Sequence, residues 1–335
     1  MNAMNRLKTA ALACVGATVL TLPAQAADQV SLLLNWYVYG EHAPFYLGKE
    51  EGVFADEGIE LEIQEGRGSA LTVQAVAAGT VPFGYADVPT MIKAAAKGAP
   101  IVTIGVALQR NPMSVMGFTD KNIRTPEDIK GKTVAMTPGD SMSQIWPLFL
   151  QQTGLSESDF NVVSGDAQTK LNAVINGQAD LLLGYAMDQS MKIKDATGKD
   201  VYPIMFADYG INMVSSGVLV NPDFLEENPD LAQRFMRAAA RSVELAIADP
   251  KAAAAAVLKA LPDAGKPETL QEGFERTIPL YHTEATEDRR PFDMTDEMMA
   301  ETVRLLVDYG GVDSSANDDP AAFYRRDALP GGAAE

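Results

Sequence analysis

The segments AVAAGTVPFGYAD (residues 75–87) and AVINGQADLLLGYA (residues 173–186) present the same structural signals in the same order. Each begins with a helix-like run, passes a glycine that ends the helix, continues into an apolar strand and closes on Gly-Tyr-Ala. A helix that leads into a buried strand is the repeating unit of an α/β fold. The two segments therefore predict two similar α/β lobes, each with a tyrosine at the carboxyl edge where open α/β sheets bind ligands.

The same alternation runs through most of the chain. Short apolar strands are predicted at residues 30–34, 59–64, 81–85, 101–108, 133–136, 161–163 and 179–183. Helices are predicted between them, beginning at capping residues such as Ser69 and Asp87 and ending at glycines. The last third of the chain is mainly helical, with amphipathic stretches at residues 230–248 and 295–309. Trp146 lies inside a predicted helix, and we expect it in the core.

The first 26 residues have the layout of a secretory signal peptide. Arg6 and Lys8 precede an apolar run at residues 10–22, and Ala24-Gln25-Ala26 supplies a small-x-small cleavage pattern. The apolar run is shorter than the roughly 20 residues that a membrane-spanning helix needs. We therefore predict cleavage after Ala26 and export to the periplasm. About 309 residues (335 minus 26) then remain, enough for two lobes with cores of their own.

Charge and cysteine content exclude several classes of protein. The formal net charge is −18, and loss of Arg6 and Lys8 with the signal peptide makes it −20. An acidic chain is a poor match for nucleic acid. The only cysteine, Cys14, lies in the predicted signal peptide, so the mature chain has neither disulfides nor cysteine metal sites. No glycine-rich turn fits a Walker loop or a dinucleotide fingerprint. We expect no cofactor and no metal.

Several stretches resemble a known family in their order and spacing. They are Asn35-Trp36 after the first strand, FYLGKEEGVF at residues 45–54, EGIEL at 57–61, TPEDIKGKTV at 125–134 and NGQAD at 176–180. Together they resemble the periplasmic substrate-binding proteins of ABC importers that serve taurine, alkanesulfonate, nitrate and thiamine-pyrimidine uptake. The resemblance runs from about residue 30 to about residue 220.

This resemblance implies a bilobal periplasmic-binding-protein fold of type II, in which a two-strand hinge joins two α/β lobes. Lobe 1 would hold residues 27–117 and the mainly helical residues 216–335, and lobe 2 would hold residues 118–215. The implied function is that of a monomeric binding protein rather than an enzyme. It would close its cleft on a small molecule and dock on the membrane permease of an ABC importer.

Candidate ligand contacts lie at predicted strand ends and helix starts. They are Asn35, Trp36, Tyr37, His42, Gly66, Arg67, Ser69, Tyr85, Asp87, Gln109 and Arg110 in lobe 1, and Thr137, Ser141, Tyr185 and Asp188 in lobe 2. The Trp36 indole offers a stacking surface for a flat ligand. Gly66 and Arg67 instead suit an anion at a helix N-terminus. These candidates also have a purely structural interpretation. Ser69 and Asp87 could be helix caps, and His42 could be a packed loop residue.

The aromatic loop after the first strand favours a nitrogenous heterocycle, such as a thiamine-pyrimidine precursor, because a flat ligand needs flat apolar walls. Taurine, an alkanesulfonate or another small organic acid is the alternative, supported by Arg67 and Arg110. A receptor-linked sensor subunit is a third class. The resemblance also extends to a eukaryotic pyrimidine synthase, but that enzyme uses a cysteine-rich metal segment, which this chain lacks after Ala26.

Overall fold

The computed structural model describes residues 27–329, so the predicted signal peptide lies outside the described residues. The strands are β1 (Asp28–Leu34), β2 (Ile59–Gln64), β3 (Phe83–Asp87), β4 (Val102–Val106), β5 (Met113–Phe118), β6 (Thr133–Met136), β7 (Asn161–Ser164), β8 (Leu181–Tyr185), β9 (Val201–Met205) and β10 (Ser216–Val220). The helices are α1 (Ala43–Glu50), α2 (Val53–Asp56), α3 (Ser69–Ala77), α4 (Val88–Ala95), α5 (Ser141–Thr153), α6 (Ala167–Ile175), α7 (Gln189–Thr197), α8 (Pro222–Glu227), α9 (Pro229–Ala248), α10 (Pro250–Ala260), α11 (Pro267–Thr277) and α12 (Asp296–Asp308). None of the helices within residues 27–329 has both the length and the apolar composition required to cross a bilayer.

The strands form two five-stranded sheets with the same internal plan. The first has the order β2-β1-β3-β10-β4, and the second has the order β7-β6-β8-β5-β9. In each sheet the first three strands are parallel, and the fourth runs antiparallel to both of its neighbours. The strands of the two similar sequence segments, β3 and β8, take equivalent places. The prediction of two similar α/β lobes is confirmed.

The antiparallel fourth strand of each sheet directly follows a crossing of the chain between the two sheets. After β4 the chain crosses to the second sheet and enters it as β5, and after β9 it returns to the first sheet as β10. The two crossing segments are bonded to each other, since the Ala107 N–H donates to Ser216 O at 2.8 Å and the Ser215 N–H donates to Leu108 O at 2.7 Å. These crossings form a two-strand hinge. β5 begins at Met113, before the start of lobe 2 expected at residue 118, and the exact lobe boundaries stay predictions.

Aromatic stacking fills the core of each lobe. In lobe 1, Phe83 of β3 stacks on Phe235 of α9 with ring centroids 4.0 Å apart. In lobe 2, Phe149 stacks on Phe206 at 4.4 Å and on Trp146 at 5.2 Å. Trp146 is buried, as predicted from its place in a helix. The helices after β10 pack mainly on lobe 1, where α9 and α10 contact α1.

Several local predictions need correction. Ser69 does not cap α3, because the N-cap is Gly68 and the Ser69 hydroxyl instead accepts the Asp87 N–H at 3.3 Å. Asp87 does cap α4, accepting the Thr90 N–H at 2.9 Å. The predicted strands 81–85 and 179–183 each lie two residues later in the structure, and β5, β9 and β10 were not predicted. β5 and β10 are buried at every position, so they lack the polar alternation that marks a half-exposed strand.

Candidate functional site

A small cavity of about 30 Å³ lies between the two lobes. Its lobe 1 wall consists of Asn35, Trp36, Tyr39 and Ser69, and its lobe 2 wall of Asp140, Ser141, Met142, Lys170, Gly184, Tyr185, Asp188 and Gln189. Most of these residues lie at or just after the carboxyl ends of β1, β6 and β8, and Ser69 and Lys170 lie on the helices that follow β2 and β7. An open α/β sheet presents its ligand site at this edge. The volume holds a water molecule or two. A heterocycle therefore needs the lobes to separate before it can enter.

The glycine turn after β2 forms two backbone hydrogen bonds with the loop that carries Trp36. The Gly66 N–H donates to Trp36 O at 3.1 Å, and the Gly68 N–H donates to Asn35 O at 2.8 Å. A Cβ on Gly66 would lie 1.9 Å from Leu34 O, so only glycine fits this approach. Because both N–H groups are already bonded to the Trp36 and Asn35 carbonyls, neither is free to bind an anion in this arrangement. The turn positions the Trp36 loop instead.

The Trp36 indole is exposed to the cavity on one side only. Its side chain is buried, and its Nε1–H makes no hydrogen bond with the described residues. Tyr37 lies beside it, with ring centroids 5.5 Å apart. On the lobe 2 side, the Lys170 ammonium lies 5.1 Å from the centre of the indole ring. The indole therefore supplies an apolar wall to the space between the lobes.

Lys170 and Asp140 form a buried ion pair in the lobe 2 wall. Lys170 Nζ lies 3.1 Å from Asp140 Oδ2 and donates to Leu183 O at 2.9 Å. The other carboxylate oxygen of Asp140 caps α5 by accepting the Ser143 N–H at 2.8 Å. The carboxylate is thus shared between a helix N-terminus and an ammonium, and the pair is neutral as a unit.

Asp188 lies at the end of the lobe 2 wall and meets lobe 1 directly. Its Oδ2 accepts the Tyr37 hydroxyl at 2.8 Å and also the Gln189 side-chain amide. Both hydrogen bonds use Oδ2, and Oδ1 accepts none from the described residues. Asp188 lines this cavity and also the groove between α7 and α11. Burial raises the pKa of the Asp188 carboxyl, opposed by the nearby charge of Lys192, whose ammonium lies 3.7 Å from the Tyr37 ring centre.

Tyr185 closes the cavity from lobe 2. Its hydroxyl accepts from the Ser141 hydroxyl at 3.2 Å and lies 3.0 Å from the Ser215 hydroxyl. Ser215 belongs to the crossing segment, so this contact ties the floor of the cavity to the hinge. Tyr85, its counterpart in lobe 1, does not line the cavity. Its hydroxyl instead donates to Glu41 at 2.8 Å.

A buried polar layer lies beneath the lobe 1 wall. His42 Nε2 donates to Asn35 Oδ1 at 2.9 Å, and burial lowers the pKa of the imidazole to about 3. His42 is therefore neutral at physiological pH and orients the Asn35 amide that faces the cavity. Glu41 accepts the hydroxyls of Tyr39 and Tyr85, and burial raises the pKa of its carboxyl.

The predicted site residues divide into three groups. Those that line the cavity are Asn35, Trp36, Ser69, Ser141, Tyr185 and Asp188. Those that lie directly behind it or hold its walls are Tyr37, His42, Gly66, Tyr85, Asp87 and Thr137. Those that the structure does not bring to the cavity are Arg67, Gln109 and Arg110.

The two predicted arginines and Gln109 lie elsewhere for simple reasons. Arg67 is exposed beside the glycine turn. Gln109 and Arg110 lie in the first crossing segment, but their side chains turn toward a separate groove of about 780 Å³ beside α12. There Arg110 donates to His282 O at 2.9 Å, and Gln109 donates to Asp293 O at 2.9 Å. The cavity between the lobes therefore has no arginine in its wall.

Sequence reasoning missed the ion pair and several cavity residues. Lys170 is one of them, and it carried a readable signal. It precedes Ala173 and Val174 by three and four residues on α6, so it lies on the face that those buried side chains share. A lysine on the apolar face of a helix needs a buried partner. Gln189, Met142 and Gly184 also line the cavity without having been predicted. No group of histidine, cysteine, aspartate and glutamate side chains within residues 27–329 is arranged to hold a metal ion.

Comparison with known proteins gives one family match and several relatives. The family model described as NMT1/THI5 like matches residues 40–253. A formylaminopyrimidine-binding protein of Halalkalibacterium halodurans is 26% identical over 85% of this chain and 86% of its own length. The riboflavin-binding protein RibY of Chloroflexus aurantiacus is 25% identical over 91% and 87%. A 4-amino-5-hydroxymethyl-2-methylpyrimidine phosphate synthase of Legionella pneumophila is 26% identical over 76% and 80%.

Solved structures establish the fold. The periplasmic aliphatic sulphonate binding protein SsuA of Escherichia coli superposes with a TM-score of 0.65 at 16% identity, covering 83% of this chain and 85% of that one. At this identity the likeness concerns the fold alone. The predicted bilobal periplasmic-binding-protein fold is confirmed.

Proposed function

The chain belongs to the NMT1/THI5-like family, and on that premise we propose that it is the substrate-binding subunit of an ABC importer, holding a small nitrogenous aromatic molecule between its lobes. The observation that carries the proposal is that Trp36 of lobe 1 and Asp188 of lobe 2 line the same cavity. The indole supplies a flat apolar wall. The carboxylate supplies an acceptor for ring or exocyclic N–H groups. A heterocycle with an amino group matches both.

The charge around the cavity supports a ligand that donates hydrogen bonds. Asp188 contributes a carboxylate, and the buried Glu41 and Asp87 lie just behind the walls. The one buried ammonium, that of Lys170, is already paired with Asp140. An anionic ligand would lie beside the Asp188 carboxyl group, and the Lys170 ammonium that it could reach is already paired, so it would lose solvation with little counter-charge in return.

The residues that supported taurine or an alkanesulfonate as the ligand are not available at the cavity. Arg67 and Arg110 do not reach the cavity, and the Gly66 N–H is bonded to the Trp36 carbonyl. A taurine or alkanesulfonate pocket would need cations or free N–H groups in their place. The structure therefore favours the heterocycle over the organic acid.

A binding role is also proposed in preference to an enzymatic one, although relatives of both kinds exist. The cavity groups already satisfy one another: Lys170 with Asp140, Asp188 with Tyr37, and Tyr185 with Ser141. Incubation of the protein with a bound pyrimidine, followed by mass spectrometry of the small molecule, tests this point. Recovery of the unchanged ligand is expected, and turnover would contradict it.

Location and partner follow from the same proposal. Residues 1–26 carry the layout of an export signal, and the binding proteins of importers deliver their ligand to a membrane permease. Fractionation of cells that produce the full chain should recover a protein beginning at Ala27 in the periplasm. A full-length protein retained in the cytoplasm would contradict this location.

A thermal-shift screen tests the ligand class. The panel holds aminopyrimidines, thiamine fragments, flavins, purines, taurine, alkanesulfonates and nitrate. A ligand at 100 times its dissociation constant adds roughly 2.7 kcal/mol to the free energy of unfolding, a readily measured change in Tm. A shift with a nitrogenous heterocycle is expected. A shift with sulfonates or nitrate alone would overturn the proposed ligand class.

A further inference from the structure

Lys170 is the only lysine or arginine in residues 27–329 whose whole side chain is buried, with 1% of it exposed. A buried ammonium is costly unless its N–H groups are bonded. The buried ammonium of Lys170 lies at the wall of a cavity and not in a closed core. This position suggests that the ammonium has a task beyond the packing of α6.

The hydrogen bonds of Lys170 leave one donor unused. An ammonium has three N–H groups. One is accepted by Asp140 Oδ2 at 3.1 Å and a second by Leu183 O at 2.9 Å. Both acceptors belong to lobe 2. The third N–H has no acceptor among the described residues. Lys170 lines the cavity, and the centre of the Trp36 ring lies 5.1 Å from its Nζ.

The cavity wall consequently carries two chemically different groups besides the indole. The Lys170 ammonium offers a hydrogen-bond donor. Asp188 Oδ1 offers an acceptor, because the two hydrogen bonds of that carboxylate use Oδ2. The Trp36 indole lines the same cavity. A flat molecule stacked on the indole could accept a hydrogen bond from Lys170 and donate one to Asp188.

Building on the proposed function, we infer that the ligand presents a neutral hydrogen-bond acceptor, a carbonyl or formyl oxygen, to Lys170 Nζ while its amino-bearing edge faces Asp188. The acceptor is neutral because Asp140 already balances the ammonium charge. A fully anionic group would compete with the Asp140 carboxylate 3.1 Å from the same nitrogen. Lys170 is thus the residue that selects oxygen-bearing heterocycles.

The test compares two aminopyrimidines with and without the formylamino group that carries the oxygen. The first is 4-amino-5-(formylaminomethyl)-2-methylpyrimidine. The second is 4-amino-2,5-dimethylpyrimidine, which lacks the whole formylamino group but keeps the ring and the 4-amino group. Calorimetry gives both dissociation constants for the wild-type protein. A hydrogen bond to a charged group corresponds to a preference of about 10- to 100-fold for the first ligand.

The variant that removes the donor is the double substitution Lys170→Met with Asp140→Asn. Removing both partners avoids an unpaired buried charge, the main reason for such a variant to unfold. The matched control is Lys194→Met with Asp200→Asn, which removes an exposed ion pair of the same lobe at 3.0 Å. The rest of the formylamino group also contributes to the wild-type preference, so the share of Lys170 is the change in the ratio of the two dissociation constants. We expect that ratio to fall by about tenfold or more in the double variant, and the control to keep the wild-type ratio.

A wild-type ratio in the Lys170 double variant would overturn the inference while leaving the proposed function intact. Failure of the wild-type protein to bind either pyrimidine would overturn the proposed function and the inference with it. Circular dichroism checks that each variant is folded. If the double variant does not fold, Lys170→Arg provides the comparison. It keeps the charge beside Asp140 but moves the donors, and it should change the ratio by at least about tenfold.

Discussion

The hydroxyl of Tyr37 donates a 2.8 Å hydrogen bond to Asp188, and the two residues belong to opposite lobes. Tyr37 follows β1 in lobe 1, and Asp188 precedes α7 in lobe 2. Lys192 lies 3.7 Å from the centre of the same tyrosine ring. One side chain of lobe 1 is therefore held by both a carboxylate and an ammonium of lobe 2, at the rim of the cavity.

Replacing Tyr37 by phenylalanine should weaken the closed arrangement. Tyr37→Phe removes the interlobe hydrogen bond to a carboxylate, a contact that contributes about 1.5–3 kcal/mol. The ring contact with Lys192 remains. We expect the dissociation constant of an aminopyrimidine to rise by about tenfold or more in calorimetry. Tyr202→Phe, at an exposed tyrosine on β9, is the control and should bind as the wild type does. Equal affinity of the two variants would contradict the role of this bond.

Truncation of Trp36 should abolish or greatly weaken binding while the fold survives. Trp36→Ala removes the apolar wall of the cavity, and loss of ring stacking together with buried area costs at least about tenfold in affinity. Trp36→Phe keeps a flat ring and should recover part of the loss. Circular dichroism should show the same secondary structure in both variants. An unchanged dissociation constant for Trp36→Ala would remove this residue from the site.

His42 should make the protein less stable in acid. Burial lowers the imidazole pKa to about 3 in the folded state, against about 6.5 in the unfolded chain. Between these values the unfolded state binds the extra proton, so the free energy of unfolding rises with pH, by at most about 1.4 kcal/mol per pH unit for one proton.

The variant His42→Gln isolates this effect from the other buried groups. Asp87 acts in the opposite direction, because burial raises its pKa to about 6. The difference in unfolding free energy between wild type and His42→Gln cancels such shared contributions. Urea unfolding from pH 4 to pH 8 should show that difference growing in favour of the wild type up to about pH 6.5 and then levelling. A pH-independent difference would mean that His42 is not buried and neutral.

Gly66→Ala should damage the fold far more than Gly79→Ala. A Cβ at Gly66 meets Leu34 O at 1.9 Å, so the strand end that carries the Trp36 loop must move. At Gly79 the added atom meets nothing within 4 Å, and the cost is only that of a positive φ, about 1–2 kcal/mol. Thermal unfolding should rank the two variants in this order. Equal Tm values would contradict the close approach.

The sequence predicted the architecture correctly because the same local pattern of helix, glycine and buried strand occurs in both lobes. The two similar segments placed β3 and β8 in equivalent positions of their sheets, and Asp87 was correctly read as a helix cap. Local signals of this kind depend on neighbours in the chain. β5 and β10 escaped prediction because each is buried among strands from the opposite half of the chain.

The site was harder to predict than the fold, because its contacts join distant residues. Tyr85 and Tyr185 follow identical local patterns, yet only Tyr185 lines the cavity, since Tyr85 is drawn to the buried carboxylate of Glu41. Likewise, the charge of Asp140 is balanced by Lys170, thirty residues further along the chain, and no local pattern specifies that pairing.

The small volume of the cavity has a kinetic consequence. With about 30 Å³ between the lobes, the cavity is smaller than a pyrimidine, so a molecule of that size can enter or leave only after the lobes part. Every ligand then shares one opening step on its way out. That step breaks the Tyr37–Asp188 contact together with the contacts that the ligand makes to one of the lobes. The lifetime of a complex would therefore contain a contribution from the protein that is the same for every ligand.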